Sequence, residues 1–219
     1  MAFHTPEIVD LNKVPAQEQT GSLYLVDDET ELLTALAESL RAVGFSPLTF
    51  NRPELLLAAT GENDVGCVIT DLRMPGIGGV ELIKQLKERE SCLSVILLTA
   101  FADVPTAVDV MKLGAAGVLE KPFDLSDLVQ EISTAMRLSE DQFAKRGLLR
   151  ETKAKLDELS QEEAAVLDLA IAGCTNRDIA EKLAISPRTV DRRRHSALQK
   201  LDAESVADYA VLKTRVDEA

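Results

Sequence analysis

Five polar side chains follow short apolar runs of the sequence, and their types suit phosphoryl chemistry. They are Asp27, Asp28, Asp71, Thr99 and Lys121. Three carboxylates placed together repel one another unless a cation lies among them, and Mg²⁺ prefers one or two carboxylates with water and phosphate oxygens. A lysine pairs with a phosphoryl oxygen, and a threonine hydroxyl donates to one. The set therefore predicts a carboxylate nucleophile that accepts a phosphoryl group beside a divalent cation.

Alternating strands and helices would bring these side chains together. The apolar runs are short and continuous, which favours strands that are covered by helices on both faces. Repeated strand–helix units form right-handed crossovers and a parallel sheet, so we predict an α/β fold with a doubly wound, five-stranded parallel sheet. Ligands bind such a sheet beyond the carboxyl ends of its strands. The predicted strands cover residues 23–26, 46–50, 65–70, 95–98 and 117–119.

The composition excludes several classes of protein. The chain has 219 residues, of which 46% are hydrophobic and 28% charged, as is ordinary for a globular protein. No run approaches the ~18 apolar residues of a membrane helix, and the first 21 residues lack the basic start and apolar core of a secretory signal. Three scattered cysteines (Cys67, Cys92 and Cys174) indicate neither a disulfide framework nor a zinc cluster. We therefore expect a cytoplasmic protein with no membrane partner.

The net charge of −13 is unevenly distributed along the chain. Residues 1–138 carry 10 basic and 21 acidic groups, net −11, whereas residues 186–201 carry five basic groups against Asp191, net +4. The total argues against a protein that coats nucleic acid through bulk charge. Residues 186–201 instead form a basic segment of the size that contacts a short stretch of nucleic acid.

The region after Leu159 has helical periodicity and no strand signal. Ser160 with Glu163 three residues later forms a capping box, and Ser186 followed by Pro187 begins a later helix after a tight connection. Two short helices joined by a tight turn form a helix-turn-helix, whose second helix reads the major groove. At 100° per residue, one face of that second helix carries Arg188, Arg192, His195 and Gln199.

These patterns predict four segments. We expect a flexible tail, an α/β domain, a helical linker and an all-α helix-turn-helix DNA-binding domain, over residues 1–21, 22–138, 139–158 and 159–219 respectively.

Residues 22–138 resemble the receiver domain of a two-component response regulator, which has a flavodoxin-like fold. Four motifs in the right order are more specific than any one of them. The family usually has an aromatic residue three positions before the lysine, where this chain has Val118. The matching strings are Val26-Asp27-Asp28-Glu29, Thr70-Asp71-Leu72-Arg73-Met74-Pro75-Gly76, Leu98-Thr99-Ala100 and Glu120-Lys121-Pro122-Phe123.

The resemblance implies a role for each residue of the acidic pocket. It implies that Asp71 is the phosphoacceptor and that Thr99 and Lys121 contact the phosphoryl group. It also implies a Mg²⁺ ion, whose ligands would be Asp28, Asp71 and the backbone carbonyl of Arg73, with Asp27 acting mostly through water.

Residues 159–216 resemble the LuxR-like DNA-binding domain of the NarL/FixJ type. The resemblance rests on Leu159-Ser160, on Gly173-Cys174-Thr175-Asn176-Arg177-Asp178-Ile179-Ala180 and on Ile185-Ser186-Pro187-Arg188-Thr189-Val190. The chain departs from the family at Glu162, where arginine is usual, and at Arg193, where histidine is common. The resemblance implies that Arg192 and His195 read bases and that the DNA backbone is contacted by Asn176, Arg177, Thr189, Arg193 and Lys200.

The sequence thus predicts a transcriptional regulator rather than an enzyme. A sensor histidine kinase and double-stranded promoter DNA are the expected partners, a homodimer is expected on phosphorylation, and RNA polymerase is a further candidate. One alternative is an orphan regulator with a phosphate-independent receiver, which Val118 motivates. Another is a phosphatase or phosphorelay protein. A haloacid-dehalogenase-type phosphatase wants a second aspartate at Arg73, and a dinucleotide-binding loop wants glycine at Glu81, so both fit poorly.

Overall fold

Parallel strands run through the middle of the N-terminal part of the chain. In this computed structural model, which describes residues 21–100 and 104–218, they pair in the order β2-β1-β3-β4-β5, and every pairing is parallel. This confirms the predicted five-stranded parallel sheet. The predicted flexible tail falls almost wholly on residues 1–20, which lie outside the described residues. The strands β1 to β5 are Ser22–Val26, Leu48–Phe50, Gly66–Asp71, Ser94–Thr99 and Gly117–Glu120.

Helices follow each strand, as the alternating pattern predicts. The second strand begins two residues later than predicted, at Leu48, because Pro47 has no N–H for a sheet ladder. The helices α1 to α5 are Thr30–Ala42, Pro53–Ala59, Gly79–Glu88, Val104–Leu113 and Leu125–Asp157.

Alternate strand residues pack on the two faces of the sheet. Leu25 and Ile69 lie in a cluster with side chains of α1 and α5. Val26 and Val68 lie in a second cluster on the other face, with side chains of α2 and α3. Burying each such side chain contributes roughly 1.5–3 kcal/mol. Both faces are therefore apolar, and the polar residues concentrate at the strand ends.

The helix α5 is longer than the sequence suggested. It has 33 residues and runs through the segment predicted as a separate helical linker. The chain divides into two compact units between Phe143 and Ala144, within this helix. The predicted boundaries at 138/139 and 158/159 remain predictions.

Four further helices form the C-terminal unit. Ser160, Thr175 and Ser205 each cap a helix reciprocally with an acidic residue three positions later, so each satisfies backbone N–H groups at a helix start. The last helix begins at Val206, directly after its cap Ser205. The helices α6 to α9 are Gln161–Ile171, Asn176–Lys182, Pro187–Lys200 and Val206–Asp217. Within the described part of the chain, no helix has the length and apolar character needed to cross a membrane.

Candidate functional site

The acidic pocket forms where four strands end. Asp27 directly follows β1, Asp71 and Thr99 are the last residues of β3 and β4, and Lys121 directly follows β5. The sheet ladder continues past β5, since the Lys121 N–H donates to the Thr99 carbonyl at 2.7 Å. Parallel strands place their carboxyl ends at one edge, so the fold brings these predicted site residues together.

The Lys121 ammonium lies between two carboxylates. Its Nζ is 2.6 Å from Asp71 Oδ1 and 3.7 Å from Asp27 Oδ2. The three side chains are largely buried, with exposed fractions of 24% for Lys121, 17% for Asp71 and 9% for Asp27. Charge-assisted hydrogen bonds are strongest in such partly desolvated surroundings. Lys121 therefore already contacts the carboxylate that is predicted to accept the phosphoryl group.

Backbone donors fix the other carboxylate oxygens. The Arg73 N–H donates to Asp71 Oδ2 at 2.8 Å, and the Glu29 N–H donates to Asp27 Oδ1 at 2.9 Å. The Arg73 backbone N–H therefore points toward Asp71, and the metal contact predicted for the Arg73 carbonyl remains a prediction. Asp28 is exposed at the start of the loop that follows β1.

The charges in the pocket oppose one another. Burial raises the pKa of the Asp27 carboxyl above its ordinary value, and the Glu29 N–H and the Lys121 ammonium act in the opposite direction. The negative charges of Asp71 and Asp28 raise this pKa further. A second cation in the pocket would relieve that repulsion.

The donor set fits a hard divalent cation. Among residues 21–100 and 104–218, no three His, Cys, Asp or Glu side chains are arranged as a ready-made metal site. Mg²⁺ does not require one, because it binds through one or two carboxylates and keeps several waters. Asp27 and Asp71 already share one cationic partner in Lys121, so their oxygens are oriented for a positive charge.

Two other residues that the sequence singled out in the N-terminal unit, Thr99 and Val118, lie within strands of the sheet. Thr99 is buried at the end of β4, where its backbone partners β5. Val118 is half-buried and packs against the apolar cluster on the α2 and α3 side of the sheet. No ring occupies the position that usually carries an aromatic residue.

In the C-terminal unit, the predicted reading face of α8 is exposed. The tight start of this helix is fixed by its cap, since the Thr189 N–H donates to Ser186 Oγ at 3.1 Å. The Thr189 hydroxyl is also within 2.8 Å of that Oγ. On the opposite face, Val190 is buried against α6 and α7, and Ala197 is buried against α6 and α9. The exposed side chains are Arg188, Arg192, His195 and Gln199.

Lys200 is engaged inside the unit. Its Nζ donates to Glu163 Oε2 at 2.7 Å and to the Glu158 carbonyl at 3.1 Å. Glu163 also accepts from Ser196 Oγ at 2.7 Å and from the Ser160 N–H at 2.9 Å. Burial alone would raise the pKa of Glu163, but these donors lower it to about 2. The DNA contact predicted for Lys200 remains a prediction, and it requires this ion pair to open.

Asn176 is also held by neighbours. Its Nδ2 donates to Asp191 Oδ1 at 2.6 Å, and its Oδ1 accepts from Arg194 Nη1 at 3.0 Å. Arg194 Nη2 donates to the same Asp191 oxygen at 3.0 Å, which closes a ring of three side chains across α7 and α8. Asp191 and Arg194 lie 15 and 18 positions from Asn176 in the chain, so no local pattern in the sequence connects the three side chains.

Arg177 and Arg193 complete the predicted set. Arg177 is exposed in the first turn of α7. Arg193 is half-buried, and its charge contributes to a lowered pKa of Glu162, after that residue's own N–H and the Ser160 hydroxyl. The DNA-backbone contact predicted for Arg193 remains a prediction.

Comparisons with known proteins cover both units. Residues 23–133 match the family described as "Response regulator receiver domain", and residues 157–212 match "Bacterial regulatory proteins, luxR family". The chain is 35% identical to the transcriptional regulatory protein FixJ of Bradyrhizobium diazoefficiens, over 89% of this chain and 95% of that protein. It is 32% identical to the response regulator protein TmoT of Ectopseudomonas mendocina, over 95% and 98% of the two chains.

Two solved structures of similar length also match. The response regulator StyR has a TM-score of 0.74 at 32% identity, covering 91% of this chain and 99% of that one. Full-length FixJ from B. japonicum has a TM-score of 0.54 at 34% identity, covering 92% and 99%. Both comparisons extend over the two units of the chain.

Proposed function

The chain belongs to the two-component response regulators of the NarL/FixJ family, transcription regulators in which a receiver domain precedes a LuxR-type DNA-binding domain, and we propose that Asp71 is its phosphorylation switch. The observation that carries the proposal is the Lys121–Asp71 contact of 2.6 Å between two largely buried side chains of the acidic pocket. The proposed donor is the phosphohistidine of a sensor histidine kinase.

In the proposed reaction, an Asp71 carboxylate oxygen attacks the phosphorus atom. The new bond is P–O, the broken bond is P–N, and the leaving imidazole takes up a proton from solvent. Both oxygens of this carboxylate already accept a hydrogen bond, Oδ2 from the Arg73 N–H and Oδ1 from Lys121, and Lys121 lies beside the oxygen that it would follow onto the phosphoryl group. Lys121 then follows the negative charge onto a phosphoryl oxygen, with Thr99 as a further donor.

Mg²⁺, when bound, would neutralise charge on the transferring group. The residues that we propose to hold it are Asp27, Asp28, Asp71 and the Arg73 carbonyl. The ion would stabilise the charged form of Asp27, whose pKa is raised by burial and by its acidic neighbours.

We propose that the exposed face of α8 reads promoter DNA. Arg192 and His195 are the proposed base readers, since a guanidinium can bind guanine N7 and O6 together. Arg188 and Gln199 share that face. The proposed backbone contacts are Asn176, Arg177, Thr189, Arg193 and Lys200. Phosphorylation would favour a homodimer that places two such helices on one site, with RNA polymerase as a further partner. A cytoplasmic location follows from the same proposal, because the chromosome lies there.

A phosphate-affinity gel tests the acceptor assignment. Wild type, Asp71→Asn and the matched control Asp127→Asn, an exposed aspartate in the first turn of α5, are incubated with acetyl phosphate and Mg²⁺. We expect a shifted band in wild type and in the control, and none in Asp71→Asn. Equal phosphate incorporation by Asp71→Asn would show that the acceptor is another residue.

A further inference from the structure

The ring of Asp191, Asn176 and Arg194 pairs the Asn176 amide and the Arg194 guanidinium with one carboxylate inside the C-terminal unit. One carboxylate oxygen, Asp191 Oδ1, accepts from both the Asn176 amide and the Arg194 guanidinium, at 2.6 and 3.0 Å. The side-chain oxygen of Asn176 accepts from Arg194 Nη1 at 3.0 Å. The polar ends of all three side chains are thus directed at one another.

Position on the helices makes this arrangement relevant to DNA. Asn176 is the first residue of α7 and precedes the exposed Arg177, so its side chain lies at the end of α7 that is proposed to meet the phosphate backbone. Arg194 reaches this end from α8 and keeps 36% of its side chain exposed. Without Asp191, a guanidinium at that place would pair with the nearest phosphate.

We propose that Asp191 limits the sequence-independent affinity of this chain for DNA, by holding Arg194 against Asn176 and away from phosphates. The inference rests on the proposed DNA-binding function. Phosphate contacts add affinity without sequence information, and each one steepens the dependence of binding on salt. Asp191 is therefore a positioning residue. It acts on DNA binding through Arg194 and not by contacting a base.

The pairing of basic side chains in residues 186–201 agrees with this role. Residues 186–201 carry five basic side chains, but Lys200 is paired with Glu163 and Arg194 with Asp191. The sequence-derived net charge of +4 therefore overstates the cationic groups that are ready to meet phosphates. Binding then depends more on the exposed face of α8 than on the sum of charges.

The test is a salt titration with DNA of random sequence. Full-length chain, with Mg²⁺ and beryllofluoride, is titrated against a fluorescent random-sequence duplex at salt concentrations from 50 to 200 mM. The proteins are wild type, Asp191→Ala, the double variant Asp191→Ala/Arg194→Ala, and Glu181→Ala, which removes an exposed carboxylate from α7.

The proposal predicts a change in slope that requires Arg194. One added phosphate contact changes the slope of log affinity against log salt by about −0.9, so Asp191→Ala loses about 3.5-fold more affinity than wild type across this range. At 50 mM salt it binds several-fold more tightly than wild type. The double variant returns to the wild-type slope, and Glu181→Ala keeps it. Asp191→Asn, which keeps the side-chain shape, is expected to lie between wild type and Asp191→Ala.

Three results would overturn the inference: an unchanged slope in Asp191→Ala, a steep slope that persists in the double variant, or the same change in Glu181→Ala. Calorimetry shows whether each variant folds. If Asp191→Ala does not fold, Asp191→Asn is used in its place. Failure of wild type to bind any duplex at 50 mM salt contradicts the proposed function itself, which keeps the two failures distinct.

Discussion

Replacing Glu163 by glutamine removes one buried charge from the C-terminal unit without changing the shape of the side chain. Glu163 is 7% exposed and accepts from Ser160, Ser196 and Lys200. A glutamine whose oxygen faces Lys200 and the Ser160 N–H, and whose amide faces the Ser196 hydroxyl, still satisfies these partners. The variant therefore isolates the contribution of the charge.

The magnitude follows from the pKa of this group. Burial acts to raise the pKa of Glu163, yet its donors lower it from the ordinary 4.5 to about 2, which corresponds to about 3 kcal/mol in favour of the ionised form. Lys200 is 37% exposed, so water screens part of its attraction. We expect Glu163→Gln to lower the free energy of unfolding of this unit by about 2 kcal/mol, or its melting temperature by roughly 8–16 °C.

The same group sets a pH dependence. A carboxyl whose pKa is lowered by folding contributes stability that is complete above the unfolded pKa, near 4.5, and lost as the pH falls toward 2. The difference in melting temperature between wild type and Glu163→Gln should therefore shrink as the pH is lowered from 6 to 3.

Scanning calorimetry of the full-length chain measures this difference, with Glu181→Gln on α7 as the exposed control. Surface substitutions of that kind change stability by about 0.5 kcal/mol or less. If Glu163→Gln melts with wild type at neutral pH, or if Glu181→Gln is equally destabilised, Glu163 does not organise this unit.

Three further predictions concern the pocket and the reading helix. Because burial and acidic neighbours raise the pKa of Asp27, Asp27→Asn should raise the melting temperature of the receiver in metal-free buffer and reduce the stabilisation by added Mg²⁺; a metal response equal to wild type would exclude Asp27 from the cation site. Gly79→Ala should destabilise the receiver by about 1–3 kcal/mol in urea unfolding, because its Cβ would meet Leu97 and lie 2.6 Å from the Asp71 carbonyl oxygen; an unchanged midpoint would show that α3 shifts freely. Arg192→Ala should weaken binding to a selected DNA site by about 5- to 150-fold in a gel-shift titration, whereas Arg215→Ala on α9 should leave binding unchanged; equal losses in the two variants would mean that the loss is not specific to the exposed face of α8.

The grouping of Asp27, Asp71 and Lys121 was predictable because its signals are local. Each apolar run ends at the residue that the sheet carries to its edge, and parallel topology then brings the Lys121 ammonium within 4 Å of both Asp71 and Asp27. The caps of α6 and α8 were also predictable, since a capping residue and its partner lie three positions apart. Such contacts are properties of short segments.

Contacts between distant segments were missed. Ser196 and Glu163 are 33 positions apart, and nothing local distinguishes Lys200 as the partner of Glu163 from Lys200 as a DNA contact. A helical projection of α8 describes one helix alone, so it could not show that α7 supplies Asn176 to Arg194. The length of α5 was missed for the opposite reason, because no stop signal separates the receiver helix from residues 139–158.

We propose that phosphate on Asp71 controls DNA binding. DNA affinity of the full-length chain for one selected site, measured with and without beryllofluoride and Mg²⁺, tests it in wild type and in Asp71→Asn. We predict at least fivefold tighter binding by beryllofluoride-treated wild type, in the range of ordinary allosteric coupling, and no change in Asp71→Asn. Equal affinity of wild type with and without beryllofluoride would contradict the claim and favour a receiver that acts independently of phosphate.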